Sequence, residues 1–414
     1  MEKRLLEEYM SKHSFIPIIV GTNINAYNMA ISFHEEYGIK PVIVGREPLP
    51  FTSYSTITDI QELNPGLHDP EIFVQFLREI AKKYRTADQK LVLVGTDDLY
   101  VRLIIEQREA LQEDFLFNYI NEEIMNAVYI KKNFYELCAE HGIDTPSTYF
   151  HSCLSDEPFT EEVLFPVIIK PSDGVQYYRH PFEGLQKIYK VDTYEEINRI
   201  IQMVKASGYT EDLIIQDFIP GDDTYMWDAV YYADQHGKAQ LITLAQVVLQ
   251  ERAMTAIGNY TALITRYDKE IMTKLANFLE AIGYVGYGNF DLKYDERDGK
   301  FKAFEVNIRQ GRSSYYITQC GENMAKYLVD DLVYGKEKPL TYLDDHFLFT
   351  VVPKAVLKKF VDNPPMEKEI RSLIKAGKYG NPLFYNKDKH MKRKLYLLMR
   401  QINYYKKYKN AVEE

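Results

Sequence analysis

The sequence predicts an α/β fold that begins with a doubly wound parallel sheet. Over residues 15–125, the apolar, strand-like segments FIPIIVG, KPVIVG and KLVLVG are separated by stretches with helical periodicity. Strands that alternate with helices form parallel sheets with helices on both faces. Ligands bind such sheets at the carboxyl ends of the strands, where Gly21-Thr22-Asn23 and Gly95-Thr96-Asp97-Asp98 lie. The same polar residues suit helix caps equally well.

The middle of the chain alternates less regularly and predicts an α+β region. We expect a helix from residue 126 that ends at His141-Gly142, because glycine after the last turn and a nearby proline stop helices. Strands are expected at LFPVIIKP and LIIQDFIPG, with the helix YEEINRIIQMVKASG between them. Residues 224–245 are rich in β signals, and a helix is expected up to Ile282.

The stretch YGNFDLKYDERDGKFKAFEVNIRQG, residues 287–311, predicts a β-hairpin with a tight turn. Alternation places polar residues on one face and apolar residues on the other, and a turn near Asp298 sets Asp291 opposite Glu305 and Asn289 opposite Asn307. Like charges that face each other destabilise a sheet, so this face calls for a cation. Oxygen ligands favour a hard ion such as Mg²⁺. The alternative is an ordinary hairpin with a solvated polar face.

Composition sets broad limits on function and location. The chain has 414 residues, a net charge of −10 and only three cysteines. This acidic balance does not suggest a general nucleic-acid partner. The cysteines form no metal or disulfide pattern, which fits a reducing compartment. We see neither a signal peptide in MEKRLLEEYMSKHS nor an apolar run long enough to span a membrane. A cytoplasmic protein of two or three domains is expected.

Basic residues and a strand-to-turn segment complete the candidate set. Lys170 ends an apolar strand, where it suits either an anion site or a lysine that snorkels to solvent. Lys131 lies at a predicted helix start and alone would be a surface lysine. The segment 215–223 runs from a strand into a Gly-Asp-Asp turn, and its extended backbone is able to bond to an adenine ring; a plain strand with an acidic turn is the alternative.

The order of these motifs resembles the ATP-grasp superfamily over roughly residues 15–345. The resemblance rests on Ile130-Lys131-Lys132, FPVIIKPS ending after Lys170, QDFIPG from Gln216, Asn289-Phe-Asp291 and FEVNIR from 304 to 309. More narrowly, GTNINAYNMAISFHEEYG, NFYELCAEHGIDTPST and IRQGRSSYY resemble the carboxylate–amine ligase group that includes the D-aspartate ligases of Gram-positive bacteria. The implied architecture is an ATP-grasp fold behind an N-terminal parallel-sheet (pre-ATP-grasp) domain.

The resemblance also implies cofactors and residue roles. ATP and Mg²⁺ are the expected cofactors. Nucleotide ligands would be Lys131 and Lys170 on the phosphates, Gln216, Asp217 and Ile219 on adenine, and Asp223 on ribose. The metal ligands would be Asp291, Glu305 and Asn307, while Arg309 would face the transferred phosphoryl group and Arg252 is a further candidate near it. The chain departs from the family pattern in Gln216, where an acidic residue is common, and in a glycine-poor segment, 171–184, that would be the lid.

Four segments are expected: 1–125, the N-terminal domain; 126–215 and 216–345, the two ATP-grasp lobes; and 346–414, a C-terminal extension. Between residues 386 and 409 the extension carries nine Lys or Arg residues and one Asp. Its apolar residues recur at helical spacing: Met391, Leu395, Leu398, Met399, Ile402 and Tyr405. A basic amphipathic helix of this kind indicates either contact with a membrane surface or docking of the stripe on the protein's own core.

The resemblance implies an ATP-dependent ligase that activates a small carboxylate as an acyl phosphate and joins it to an amine. D-aspartate and the lysine side chain of a peptidoglycan precursor, UDP-linked or lipid-linked, are the expected substrates. An ATP-grasp ligase for another peptide or envelope substrate is one alternative. A non-catalytic nucleotide-binding scaffold is another, although the intact set Lys170, Asp291, Glu305 and Asn307 argues against it.

Overall fold

The computed structural model describes residues 13–252 and 258–413, which divide into two compact units. Of these residues, the first unit contains 13–126, 223–252, 258–291 and 306–413. The second contains Ala127–Asp222 and Leu292–Glu305. Most of the N-terminal segment assessed for a signal peptide, residues 1–14, and the last residue of the extension lie outside the described residues.

A four-stranded parallel sheet opens the first unit and confirms the predicted N-terminal sheet. Its strands follow the order β3-β2-β1-β4, with all pairs parallel. The short edge strand β3 was not predicted, because its Gln-Glu-Leu sequence lacks an apolar run. The bounds are β1 Phe15–Val20, β2 Val42–Gly45, β3 Gln61–Leu63 and β4 Lys90–Gly95.

Helices follow the parallel strands, and the polar residues at the strand ends cap them. Asn23 accepts hydrogen bonds from the backbone N–H groups of Asn25 and Ala26, and Asp97 accepts one from Tyr100. The first helix ends at Gly38, whose φ of +67° is the left-handed conformation that glycine adopts without strain. The helices are α1 Ile24–Tyr37, α2 Pro50–Ser53, α3 Pro70–Tyr84, α4 Asp98–Glu106, α5 Arg108–Leu111 and α6 Glu122–Tyr129.

The second unit holds an antiparallel sheet of order β5-β8-β6-β7. Its strands are β5 Thr148–Ser152, β6 Val167–Pro171, β7 Tyr189–Val191 and β8 Asp212–Asp217. Its helices are α7 Lys131–Glu140, α8 Gly174–Arg179 and α9 Tyr194–Ala206.

One expectation for this region was wrong in detail. The helix predicted from residue 126 to Gly142 is interrupted at Ile130, where the backbone is extended, so Lys131 begins a new helix. The segment 171–184 contains α8, and Tyr177 on it is buried with its hydroxyl 2.9 Å from that of Tyr189. Burial of Tyr177 gives the segment an anchor that a simple flexible loop lacks.

The largest sheet has the strand order β14-β13-β9-β11-β12-β16-β17, and β10 joins β9 to β15. The predicted hairpin is present as β13 and β14, and its outer part, Leu292–Glu305, is counted in the second unit. The strands are β9 Met226–Ala233, β10 Ala239–Ile242, β11 Leu244–Gln250, β12 Tyr260–Arg266, β13 Gly286–Asp295, β14 Lys300–Asn307, β15 Thr341–Tyr342, β16 Leu348–Thr350 and β17 Tyr379–Gly380. The remaining helices are α10 Lys269–Ala281, α11 Tyr315–Gln319, α12 Met324–Leu332, α13 Lys354–Phe360, α14 Pro364–Lys375 and α15 Met391–Glu413.

A buried ion pair fastens the C-terminal extension to the N-terminal helices. Arg393 on α15 and Asp388 just before it are 2% and 1% exposed, with Arg393 Nε 3.1 Å from Asp388 Oδ2. Tyr27 Oη donates to Asp388 Oδ2 at 3.0 Å, and the backbone N–H of Thr56 donates to Oδ1 at 2.9 Å. Burial opposes ionisation of Asp388, but these hydrogen bonds and Arg393 outweigh it, so its pKa lies below its ordinary value.

Removing one charge of this pair should therefore cost substantial stability. We expect Asp388→Asn to lower the free energy of unfolding by about 3–5 kcal/mol, because Arg393 would remain buried without a counter-ion. The measurement is the shift of the urea unfolding midpoint. Asp59→Asn is the matched control, since Asp59 is half exposed in its pair with Lys40, and should change stability by only about 0–1 kcal/mol. Equal shifts for the two variants would contradict the expectation.

Candidate active site

The polar face of the hairpin gathers predicted ligands within the first unit. Asp291 on β13 accepts a hydrogen bond from Tyr260 Oη at Oδ1, 2.8 Å, and one from Asn307 Nδ2 at Oδ2, 3.2 Å. Asn307 on β14 also donates to the backbone carbonyl of Asn289, 3.3 Å. The carboxylate of Asp291 is thus fixed from two sides, and the structure brings Asp291 and Asn307 together as the sequence predicted.

Glu305 precedes Asn307 by two residues on β14, so the two side chains leave the strand on the same face. In the second unit, Lys131 Nζ lies 2.7 Å from Glu305 Oε2. Both side chains keep a solvent-exposed part, 30% for Lys131 and 43% for Glu305. Lys131, the first residue of α7, therefore forms an ion pair with Glu305. This ion pair joins a predicted phosphate ligand to a predicted metal ligand.

Lys170 extends from β6 toward Gln216 on β8, and its Nζ donates to Gln216 Oε1 at 3.0 Å. Gln216 is fully buried, and its Nε2 donates to Tyr135 Oη and Thr148 Oγ1 at 2.9 and 2.8 Å. Burial, together with the charge of Lys131, lowers the pKa of Lys170 to about 7, and Glu305 opposes the shift. Lys170 is therefore a buried amine whose charge is easily changed, and not a snorkelling lysine.

The segment after β8 is held by cations from the hairpin. Arg297 binds the Asp217 carboxylate with Nη2 at 2.5 Å from Oδ2, and Lys293 Nζ donates to the backbone carbonyls of Ile219 and Gly221 at 2.7 and 3.1 Å. The side chain of Asp217 is therefore paired within the protein. The backbone of the segment, and not this side chain, remains the predicted contact for adenine.

Asp223 and Arg252, predicted separately, form an ion pair in the first unit. Arg252 Nη2 lies 3.1 Å from Asp223 Oδ2, and Gln250 donates to Asp223 through Nε2 at 2.8 Å. Arg252 is thereby anchored at the end of β11. The next residues, 253–257, are outside the described part of the chain.

Arg309 connects the hairpin to the carboxyl ends of the parallel strands. Its Nη2 donates to Asp98 Oδ2 at 3.1 Å and to Asn307 Oδ1 at 3.4 Å, whereas its buried Nε has no hydrogen-bond partner among the described residues. Gln310 Nε2 donates to the carbonyl of Gly95 at 3.2 Å. The polar strand ends singled out from the sequence therefore cap helices and also contact the segment that follows the hairpin.

Sequence analysis missed a buried carboxylate behind the hairpin. Asp228 on β9 is fully enclosed, and it accepts hydrogen bonds from Asn289 Nδ2 at 2.7 Å and Tyr316 Oη at 3.2 Å. Burial raises its pKa to about 6 despite these hydrogen bonds. Asp228 lies in an otherwise ordinary β pattern, MWDAVYYA, so only its place inside an apolar strand could have drawn attention.

Two more supporting residues were missed. Tyr260, which holds Asp291, begins β12 without any distinguishing motif. Glu251 precedes Arg252 and is buried between Arg312 Nη2 at 3.1 Å and Tyr404 Oη at 2.7 Å. No local signal indicates these partners, because they lie far apart in the sequence.

The donor set on the hairpin is two carboxylates and one amide. Within residues 13–252 and 258–413, no group of three His, Cys, Asp or Glu side chains could hold a metal ion. The predicted set does not depend on such a group, because its third ligand is the amide of Asn307. All its ligating atoms are oxygens, which suits Mg²⁺.

Comparisons with known proteins fit this geometry. No family model matches the chain. The chain is 34% identical to D-aspartate ligase of Enterococcus faecium (strain Aus0004) over 417 aligned residues, which cover 98% of this chain and 99% of the relative.

Two solved structures show the fold. L-amino acid ligase from Bacillus licheniformis superposes with a TM-score of 0.53 at 16% identity, over 77% of this chain and 74% of that one. The biotin carboxylase domain of Hydrogenobacter thermophilus 2-oxoglutarate carboxylase, solved with MgADP and bicarbonate, gives a TM-score of 0.55 at 15% identity, over 78% and 70% of the two chains. Both likenesses confirm the ATP-grasp fold.

The 34% identity to D-aspartate ligase extends over almost the entire length of both chains, so it shows more than a shared fold. It shows that this protein is an ATP-dependent carboxylate–amine ligase, an enzyme that forms a C–N bond. The chain belongs to the D-aspartate ligase family.

Proposed function

We propose that the enzyme activates D-aspartate at a carboxylate and joins it to the lysine side-chain amine of a peptidoglycan precursor, carried on UDP or on a lipid. The observation that carries the proposal is the full-length similarity to a D-aspartate ligase. Another peptide or envelope substrate is the competing proposal, and the polar strand ends near Arg309 do not distinguish the two. The scaffold alternative falls away, because the family consists of enzymes.

The reaction needs an activated carboxylate. An amine does not displace oxide from a carboxylate at neutral pH, so the γ-phosphoryl group of ATP is first transferred to the carboxylate oxygen, and ADP leaves. The amine then attacks the acyl carbon of the acyl phosphate, phosphate leaves, and the amine loses a proton. The protein's part is to bring together anionic reactants and to offset their charge.

For ATP, the second unit supplies the proposed ligands of the phosphates and of adenine, and the first unit supplies Asp223 for the ribose. Lys131 and Lys170 would bind the phosphates, and both are already held by acceptors, Glu305 and Gln216, that fix their positions. The backbone of Gln216, Asp217 and Ile219 would meet adenine, and Asp223 would accept from a ribose hydroxyl. In this proposal Gln216 also positions Lys170, which accounts for an amide where an acidic residue is common in the family.

For Mg²⁺, the proposed ligands are Asp291, Glu305 and Asn307. The ion would offset the phosphate charge and orient the triphosphate. Tyr260 and Asn307 hold the Asp291 carboxylate, and Lys131 shows that the Glu305 carboxylate attracts a cation. The oxygen donors fit a hard ion, and each carboxylate has support that fixes its orientation.

For the reacting groups, Arg309 is the proposed catalytic residue. Its buried Nε, which has no hydrogen-bond partner among the described residues, and its hydrogen bond to Asp98 suit a group that would stabilise the developing oxyanion. Arg252 is the second proposed basic residue, anchored by Asp223. A cytoplasmic location is part of the proposal, since ATP and nucleotide-linked precursors are found there and Cys138, Cys153 and Cys320 are all unpaired.

Substrate identity is tested by phosphate release. With ATP, Mg²⁺ and a lysine-containing UDP-muropeptide, D-aspartate should give the fastest release of a panel that includes L-aspartate, D-glutamate and D-asparagine, by about tenfold or more. The matched control is the same acceptor with its lysine amine acetylated, which lacks the nucleophile. Faster release with another panel member, or equal product with the acetylated acceptor, would count against the proposal.

The metal role is tested on the hairpin. Glu305→Gln keeps the shape of the side chain but removes its charge, and we expect turnover to fall by about 100-fold or more with a raised Mg²⁺ requirement. Glu296→Gln is the matched control on the exposed turn of the same hairpin. Circular dichroism should be unchanged for both. Near-normal turnover of Glu305→Gln would remove Glu305 from the site.

The buried amine predicts a proton linkage. Because the pKa of Lys170 is about 7 in this structure, most of the amine is neutral at about pH 8, and bound phosphates should raise its pKa. ATP binding at that pH should take up a proton, up to about one per site, and the uptake should vanish below about pH 6, where Lys170 is already charged.

Calorimetry in buffers of different ionisation enthalpy measures this uptake. Lys170→Arg keeps a permanent charge and serves as the control, because arginine stays protonated throughout the range. The arginine variant should bind ATP without the linkage. If it takes up as many protons as the unaltered enzyme, Lys170 is not the linked group.

A further inference from the structure

The C-terminal helix α15 is docked through one face. Its buried residues recur every three or four positions, which places them on a single side of the helix. Polar groups do much of the fastening: Gln401 Nε2 donates to the carbonyl of Val351 at 2.9 Å, and the Tyr404 and Tyr408 hydroxyls donate to Glu251 and the Gln250 carbonyl at 2.7 and 2.6 Å. The docked face consists of Arg393, Leu397, Gln401, Tyr404 and Tyr408.

The apolar stripe predicted from the sequence is on the other side of α15. The side chains of this exposed stripe are 51–74% accessible, namely Met391, Leu395, Leu398, Met399 and Ile402. Tyr405 alone among the predicted residues is half-buried, and its hydroxyl accepts from Lys359 Nζ at 3.2 Å. The alternative that this stripe docks on the protein's own core is therefore wrong, because α15 packs through its opposite face.

Basic residues surround the exposed stripe. Asp388, the single acidic residue between 386 and 409, is buried against Arg393 and contributes no exposed negative charge. The exposed basic residues of the segment are Lys387, Lys389, Lys392, Lys394, Lys406, Lys407 and Lys409. The chain as a whole carries a net charge of −10, so this helix face differs in sign from the rest of the protein.

We propose that the exposed stripe of α15 docks on an anionic lipid surface, with the helix axis parallel to the bilayer. An apolar stripe bordered by lysines is the pattern of a helix that lies in the headgroup region. Each exposed lysine is attracted by negatively charged headgroups. The stripe runs from residue 391 to 402, about 16 Å of helix at 1.5 Å per residue. The described part of the chain contains no helix with the length and hydropathy of a membrane span.

A second copy of the chain is the less favoured occupant. A two-fold contact sets the same patch against itself. The lysines that border the stripe would then face the lysines of the other copy, and like charges repel. An anionic surface avoids this repulsion and satisfies the same apolar residues. The inference does not depend on which carboxylate and amine the enzyme joins.

The test uses the full-length protein and sedimented vesicles. Vesicles of equal parts phosphatidylglycerol and phosphatidylcholine should bind the protein at low salt, and vesicles of phosphatidylcholine alone should not. The combined variant Leu395→Ser, Leu398→Ser, Ile402→Ser should bind at least about tenfold more weakly. Higher salt should weaken binding of the unaltered protein, because it screens the lysines. Deleting the whole helix is a poorer test, since it would also expose the core contacts of Leu397, Tyr404 and Tyr408.

The matched control changes exposed leucines elsewhere. Leu154→Ser with Leu164→Ser removes side chains that are 72% and 65% accessible in the second unit, and binding should be unchanged. Phosphate release in solution should be unaltered in both combined variants, which verifies folding. The proposal is overturned if the unaltered protein does not sediment with anionic vesicles, or if the stripe variant binds them as well as the control variant does. It is also overturned if sedimentation velocity shows that the unaltered protein and the control variant are dimers while the stripe variant is a monomer.

Discussion

Compensation of negative charge on the β13–β14 hairpin is the constraint around which the rest of the site is arranged. Asp291 and Glu305 stand on strands that are neighbours in the sheet, and like charges so placed repel. The two carboxylates have different partners. Asp291 accepts hydrogen bonds from the neutral donors Tyr260 and Asn307, whereas Glu305 pairs with the ammonium of Lys131. The neutral donors Tyr260 and Asn307 orient the Asp291 carboxylate without themselves cancelling its charge.

Two of the predicted basic residues, Lys170 in the second unit and Arg309 in the first, each hold a nitrogen atom away from solvent. Lys170 Nζ donates to a neutral amide, and burial, together with the charge of Lys131, lowers the pKa of its amine to about 7. Arg309 likewise buries an Nε without a partner among the described residues. Buried donors of this kind are costly to a folded protein. Such donors suit a site that binds a highly charged anion, because the anion would supply the negative charge and the hydrogen-bond acceptors that the protein does not place beside them.

Local sequence signals predicted the elements that depend on local rules. Alternating apolar runs located β1, β2 and β4, and the turn chemistry located the β13–β14 hairpin. Three features were not predicted, because each is set by tertiary packing and not by periodicity. They are the break at Ile130, the short helix α8 and the polar strand β3.

The candidate site residues also fall into two groups, those that a local sequence motif indicates and those that depend on contacts between distant parts of the chain. Residues with a motif, such as Lys170 and Glu305, were found and meet other predicted residues. Asp228 and Tyr260 were not, since their importance lies in partners from other strands. For α15, helical spacing identified the apolar stripe correctly but could not say which face is docked. That face is held by the buried Leu397 and Arg393 and by hydrogen bonds from Gln401, Tyr404 and Tyr408.

The hydrogen bond from Tyr27 to Asp388 joins residues that are 361 positions apart. The first strands of the chain emerge from the ribosome early, together with α1. The hydrogen-bond partner of Tyr27 on this helix becomes available only after Asp388 has been synthesised. Domains generally fold as units, and contacts this distant in sequence form slowly. The first unit is therefore incomplete throughout most of translation.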